Sequence, residues 1–126
     1  MKISYVKQMS LTLGAMVAMG FASTASAQQV IVLNHYQEIP DKKTQFSQVI
    51  DDEVSKKLTG VKGLEWTKFF YNPSTGERGS IFLWKSQADW EAYLKSDLRK
   101  ELIGKMKPFL HGDVSSKSYP VYEPKK

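Results

Sequence analysis

The sequence predicts an α+β fold in the order β-α-β-β-α-α-β, a four-stranded antiparallel sheet with its helices on one face. Three observations lead there. Runs rich in β-branched and aromatic residues alternate with stretches whose apolar residues recur at helical spacing. The segment NPSTGERG, with its Asn-Pro and glycine residues, marks a hairpin loop between the two middle strands. Finally, the apolar run SIFLW passes straight into helix at Trp84-Lys85-Ser86, so sheet and helices must close on each other.

Residues 30–39 (VIVLNHYQEI) form the first strand, which stops at Pro40. A helix follows over 42–58, where Phe46, Val49, Ile50, Val54 and Leu58 share one face, with Asp41 as its cap and Gly60 as its stop. Residues 64–71 and 80–84 are the hairpin strands. Ser86 caps the next helix, and Asp89 stands three residues later in the capping-box position. Trp90, Tyr93 and Leu94 give its apolar face. After a second cap at Ser96, the residues Leu98, Leu102, Ile103 and Met106 continue the stripe until Pro108 forbids further helix. Residues 115–123 supply the last strand, which Pro120 places at an edge, and Pro124 to Lys126 read as a frayed end. This is the ferredoxin-like arrangement.

The N-terminus reads as an export signal over residues 1–27. Lys2 and Lys7 give a positive start, the apolar run from Met9 to Ala22 follows, and Ala25-Ser26-Ala27 has the small-x-small form of a cleavage site. That run is short of the roughly 20 residues needed to span a bilayer, so no membrane association is expected after cleavage. The domain then comprises residues 28–126, and its address is periplasmic or secreted. The chain has no cysteine, hence no disulfide framework. Cleavage removes two lysines and no acid, lowering the net charge from +5 to +3. Lys95, Arg99, Lys100, Lys105 and Lys107 alternate with Asp97 and Glu101, the pattern of a solvated helix face, so nucleic acid is not an expected partner.

A sheet with one wet face should alternate apolar and polar residues. Here Val30-Ile31-Val32-Leu33, Phe69-Phe70-Tyr71 and Ile81-Phe82-Leu83-Trp84 are apolar on both sides. The helices cover only one face. The other is expected to meet a second copy of the chain in a symmetric homodimer.

Laid out this way, the mature chain resembles the antibiotic biosynthesis monooxygenase (ABM) family of the dimeric α+β-barrel superfamily. The resemblance is carried by VIVLNHY, the helix containing Phe46, the junction FLWKSQADWEAYLKSDLRKEL, the PFL at 108–110, and a closing strand with Tyr119 and Tyr122. It implies a dimer that oxidises a small planar aromatic, phenol- or quinol-like, with O₂ and without metal or flavin. WKSQADWEAYLKSD is also similar to the strand-to-helix segment of the haem-degrading branch, which pairs a strand asparagine and a tryptophan with an iron-ligating helix histidine. Asn34 and Trp84 match the first two, but Ile103 stands at the histidine position and isoleucine cannot coordinate iron. The expectation is therefore no cofactor, with haem admitted only through some other ligand.

Asn34 interrupts an apolar strand on the face of Val32 and Tyr36, where a preorganised amide can donate to a developing oxyanion or serve as a structural amide. Trp84, on the face of Phe82, offers a flat wall and one N–H donor. Phe82, Phe70 and Trp66 are the nominated substrate contacts. His35 has a suitable reference pKa for a general base, yet strand alternation turns it away from Asn34. His111 falls in a loop, and two distant histidines without cysteine make no transition-metal site. Two functions follow from these residues: a cofactor-independent monooxygenase, or a non-catalytic protein of the same fold that binds an aromatic ligand such as haem.

Overall fold

Strand β1 (Val30–Gln37) opens the computed structural model, which describes residues 28–125; the expected export signal lies outside the described residues. A helical rod follows, made of α1 (Lys43–Val49), a π-helical stretch (Ile50–Val54) and α2 (Ser55–Leu58). Then come β2 (Leu64–Asn72), β3 (Glu77–Trp84), α3 (Gln87–Leu94), α4 (Asp97–Met106) and β4 (Ser115–Pro120). The strands pair antiparallel in the order β2-β3-β1-β4, the ferredoxin-like sheet that the element order predicts. Among the described residues no helix is long and apolar enough to cross a membrane.

Alternation decides what the helices cover. Val30, Val32, Asn34 and Tyr36 of β1 and Arg78, Ser80, Phe82 and Trp84 of β3 are buried on one face. Against them pack Phe46, Ile50, Val54 and Leu58 of the rod, Trp90 and Tyr93 of α3, and Leu102 and Met106 of α4. The rod's four buried residues are spaced by four. In a regular α-helix each such step drifts about 40° around the axis. The π-helical stretch, whose wider turn bonds Ser55 N–H to the Ile50 carbonyl, holds more residues per revolution and takes back part of that drift. All four side chains thereby stay on the sheet.

The junction after β3 is built as its sequence implies. Ser86 Oγ accepts from the Asp89 amide at 3.1 Å, and Ser96 Oγ accepts from the Arg99 amide at 3.1 Å. Several boundaries differ from expectation. Asp41 is not the cap of α1: it takes the left-handed conformation (φ 72°) in the turn after Pro40, and Lys42 occupies the cap position without a side-chain bond. β3 begins at Glu77 and not at Ser80, so the hairpin loop is shorter than NPSTGERG. β1 ends at Gln37, beyond which the Glu38 and Ile39 amides donate to the Gly76 and Phe109 carbonyls. β4 ends at Pro120, the edge position where a missing N–H does least harm.

Strand β2 contains a bulge. Leu64 pairs with Trp84 while Trp66 pairs with Leu83, so Glu65 is an extra residue. One extra residue reverses the side of every position beyond it. Thr67 and Phe69 therefore join Phe82 and Ser80 on the helix-covered face, while Trp66, Lys68 and Phe70 turn outward. The outer face carries a row Trp66, Leu83, Ile31, Tyr119 across all four strands and a second row Lys68, Ile81, Leu33, Lys117. Trp66 and Tyr119 are 41% and 48% exposed, and the described residues leave this face open.

One end of the interior is closed by a buried ion pair. Arg78 Nε donates to Glu38 Oε1 at 2.7 Å, and its Nη2 donates to Ser47 Oγ at 2.8 Å. The guanidinium lies 4.0 Å from the ring centre of Tyr71, whose hydroxyl donates to Glu38 Oε2 at 3.2 Å. Removing one partner strands the other charge in the interior. Arg78→Ala is expected to lower unfolding free energy by about 3–5 kcal/mol in urea titration, whereas Arg78→Met combined with Glu38→Leu recovers most of the loss.

Candidate active site

Between sheet and helices lies a small cavity of about 30 Å³. Its sheet side presents Asn34, Tyr36, Phe69, Ser80 and Phe82. The helices contribute Val54, Leu58, Tyr93, Arg99, Leu102, Ile103 and Met106, and Val114 completes the wall before β4. Apolar carbon dominates, with one polar strip along the sheet. That strip follows from register: Ser80, Asn34 and Ser116 stand side by side on β3, β1 and β4. Asn34 Nδ2 donates to Ser80 Oγ at 3.0 Å, and Ser116 Oγ donates to Asn34 Oδ1 at 2.6 Å. The amide plane is thus fixed from both sides, and its second N–H hydrogen, which has no partner among the described residues, can serve a ligand.

Two phenols and one cation set the electrostatics. Burial pushes the Tyr36 hydroxyl up to about 12, opposed in part by Arg78. Burial likewise pushes Tyr93 up to about 12, with Arg99 opposing. Both are neutral donors throughout the physiological range. Arg99 has no ion-pair partner among the described residues, so the cavity wall carries an uncompensated positive charge. A neutral donor set facing a free cation favours an anionic oxygen.

Trp84 does not line the cavity. It is completely buried beneath α3, with ring centres at 5.4 Å from Tyr93, 5.8 Å from Trp90 and 6.0 Å from Phe82. Among the described residues its Nε1 has no hydrogen-bond partner. Trp84 shares a sheet face with Asn34 and supports the cavity from behind, through Tyr93 and Phe82.

The remaining nominated residues divide by face. Phe82 lines the cavity, and Ile103 does too, at the position where the haem-degrading branch carries its histidine. Trp66 and Phe70 do not reach it, because the bulge at Glu65 turns them to the outer face. His35 also lies on that face, half exposed, with Nε2 2.9 Å from Glu77 Oε2. It cannot act on anything held by Asn34. His111 is exposed in its loop. Sequence reasoning missed Phe69, Ser80, Tyr36 and Arg99. For Ser80 and Tyr36 the signal was present, since counting by twos from Trp84 and from Asn34 puts both on the covered face. Among the described residues no group of three or more histidine, aspartate or glutamate side chains is placed to hold a metal ion.

The two buried tyrosines make alkaline stability informative. Their pKa is 10.0 when exposed and about 12 when folded, so above pH 10 the unfolded chain loses these protons first. Stability should be unaffected by them below pH 10, fall as pH rises from 10, and level off above about 12. Urea midpoints measured across that range test it, and Tyr36→Phe with Tyr93→Phe should flatten the decline.

No family model matches this chain, and no curated protein does. Solved structures do. A protein from Caulobacter crescentus CB15 named as an antibiotic biosynthesis monooxygenase aligns over 83% of this chain and 100% of its own, with TM-score 0.66 and 16% identity. SnoaB, a cofactor-independent oxygenase from Streptomyces nogalater, aligns over 78% of this chain and 97% of its own, with TM-score 0.65 and 9% identity. The ActVA-Orf6 monooxygenase of Streptomyces coelicolor, solved with nanaomycin D, covers 81% of this chain and 94% of its own, with TM-score 0.61 and 14% identity. The chain has the fold of the antibiotic biosynthesis monooxygenases, as the resemblance of its strand-to-helix junction implies.

Proposed function

We propose that this chain is an exported, homodimeric oxygenase that oxidises a small planar phenol- or quinol-like substrate with O₂, using neither metal nor flavin. The observation that carries the reading is the oriented Asn34 amide beside Ser80 in a mainly apolar cavity whose wall includes Arg99, which has no ion-pair partner among the described residues. A phenolate oxygen suits that pair: Arg99 lowers the cost of its charge, and the free Asn34 N–H donates to it or to a peroxide formed on the ring. The substrate supplies the electrons. A phenolate passes one electron to O₂, the two radicals combine into a ring hydroperoxide, and O–O cleavage with loss of the ring proton leaves one oxygen in a quinone and the other in water. Tyr36 and Tyr93 stay protonated and donate to the departing oxygen. With Arg99 favouring the ionised ring, a side-chain base such as His35 is unnecessary.

Pairing is supported by the outer sheet face, where the row Trp66, Leu83, Ile31, Tyr119 runs across all four strands with Trp66 and Tyr119 exposed. Export is supported by the signal pattern of residues 1–27. Isolated from the periplasm or medium, the protein should begin at Gln28 and sediment at twice its chain mass. A retained leader sinks the first claim and a monomer the second.

The activity is tested by following O₂ uptake with a panel of quinols and naphthols. Asn34→Ala should lower kcat about 10²-fold, the usual cost of an oxyanion donor. Unchanged turnover would remove Asn34 from the mechanism. A second reading, a non-catalytic binder of an aromatic or tetrapyrrole, is favoured by Ile103, which lines the cavity where the haem-degrading branch carries its histidine. Ligand binding, haem included, with no O₂ uptake on any substrate selects it.

A further inference from the structure

If a ring is to lie against Asn34, some wall of the cavity must move. Among the described residues, the cavity shares walls with two surface grooves. With one, of about 450 Å³ beside α3 and α4, it shares only Tyr93. With the other, of about 360 Å³ along the β2 edge, it shares Leu58 and Phe69. These three side chains differ sharply in freedom. Tyr93 is 8% exposed and clasped by Trp84, Trp90 and Phe82, and Leu58 is 3% exposed in the core. Phe69 is 37% exposed, has no aromatic partner among the described residues, and sits on a strand paired on one side only. Its neighbour across the ladder is Ser80, whose own neighbour is Asn34.

We infer that Phe69 is the door of the site: planar phenols reach the Ser80–Asn34 strip over the β2 edge, through the groove that the Phe69 ring closes. The inference rests on the oxygenase reading for the class of ligand, and its geometry stands without turnover. Rotation of an exposed phenylalanine is fast, on the order of nanoseconds. With the ring swung out, cavity and groove join into one space within the range of about 300–1,000 Å³ typical of small-ligand sites. The joined space is a slot between Leu58 and the sheet, with Ser55, Thr59, Glu65 and Thr67 around its mouth and the Ser80–Asn34 strip at its inner end. A flat ring system fits such a slot with a hydroxyl against Asn34.

The test is stopped-flow binding of 1-naphthol, read by its fluorescence, to the mature protein. Phe69→Ala should speed association about tenfold and Phe69→Trp should slow it by a similar factor, as expected where only the fraction of molecules with the ring swung out can bind. Ala92→Trp, which fills the other groove, should leave the rate unchanged. Circular dichroism confirms folding, and Phe69→Leu replaces the alanine variant if that one unfolds. Rates insensitive to Phe69, slowing by Ala92→Trp, or no naphthol binding by either wild type or Phe69→Ala would each overturn the inference. Phe69-gated binding without O₂ uptake leaves it standing and removes the oxygenase reading. O₂ uptake that Phe69→Trp does not slow does the reverse.

Discussion

Everything inside this domain is arranged around Trp84, the indole that ends β3 and is completely sealed from solvent. Two residues later Ser86 caps α3, and the helix it starts returns Trp90 and Tyr93 over Trp84 and Phe82. Burying large apolar side chains contributes about 1.5–3 kcal/mol each, with about 0.5–1.5 kcal/mol more for each well-placed aromatic pair. Against this, the unpartnered Trp84 N–H costs about 1–3 kcal/mol. Packing wins by a wide margin. The same cluster immobilises Tyr93, and α4, which follows from the Ser96 cap, is thereby held where Arg99, Leu102 and Ile103 close the cavity.

The second determinant is a single inserted residue. Were β2 regular, Trp66 and Phe70 would face the helices and Phe69 would face out. Glu65 exchanges them. The exchange gives the cavity its one lightly held wall and gives the outer face its tryptophan. The lining of the cavity and the make-up of the outer sheet face are thus set by the same bulge.

What the sequence discloses follows from which interactions are local. The caps at Ser86 and Ser96 and the alternation of β1 rest on residues a few places apart, and each stands where its pattern puts it; the hairpin turn falls within NPSTGERG, though β3 already begins at Glu77. The opposition of Asn34 and His35 was legible for the same reason. The outward placement of Trp66 and Phe70 was not legible because a bulge has no signature in LEWTKFFY; it arises from pairing with β3. Glu77 beside His35, and Glu38 under Arg78, are likewise long-range facts of register. Asp41 shows the limit of a local rule, since Pro40 makes a turn in which it takes the left-handed position rather than the cap.

The two borders of the sheet carry a further consequence. β2 is broken by its bulge and bears Lys68, while β4 bears Lys117 and ends in Pro120, so neither border offers the long flat run of free amides on which another strand could be templated. The two borders thus resist the open-ended strand-on-strand stacking that produces fibres.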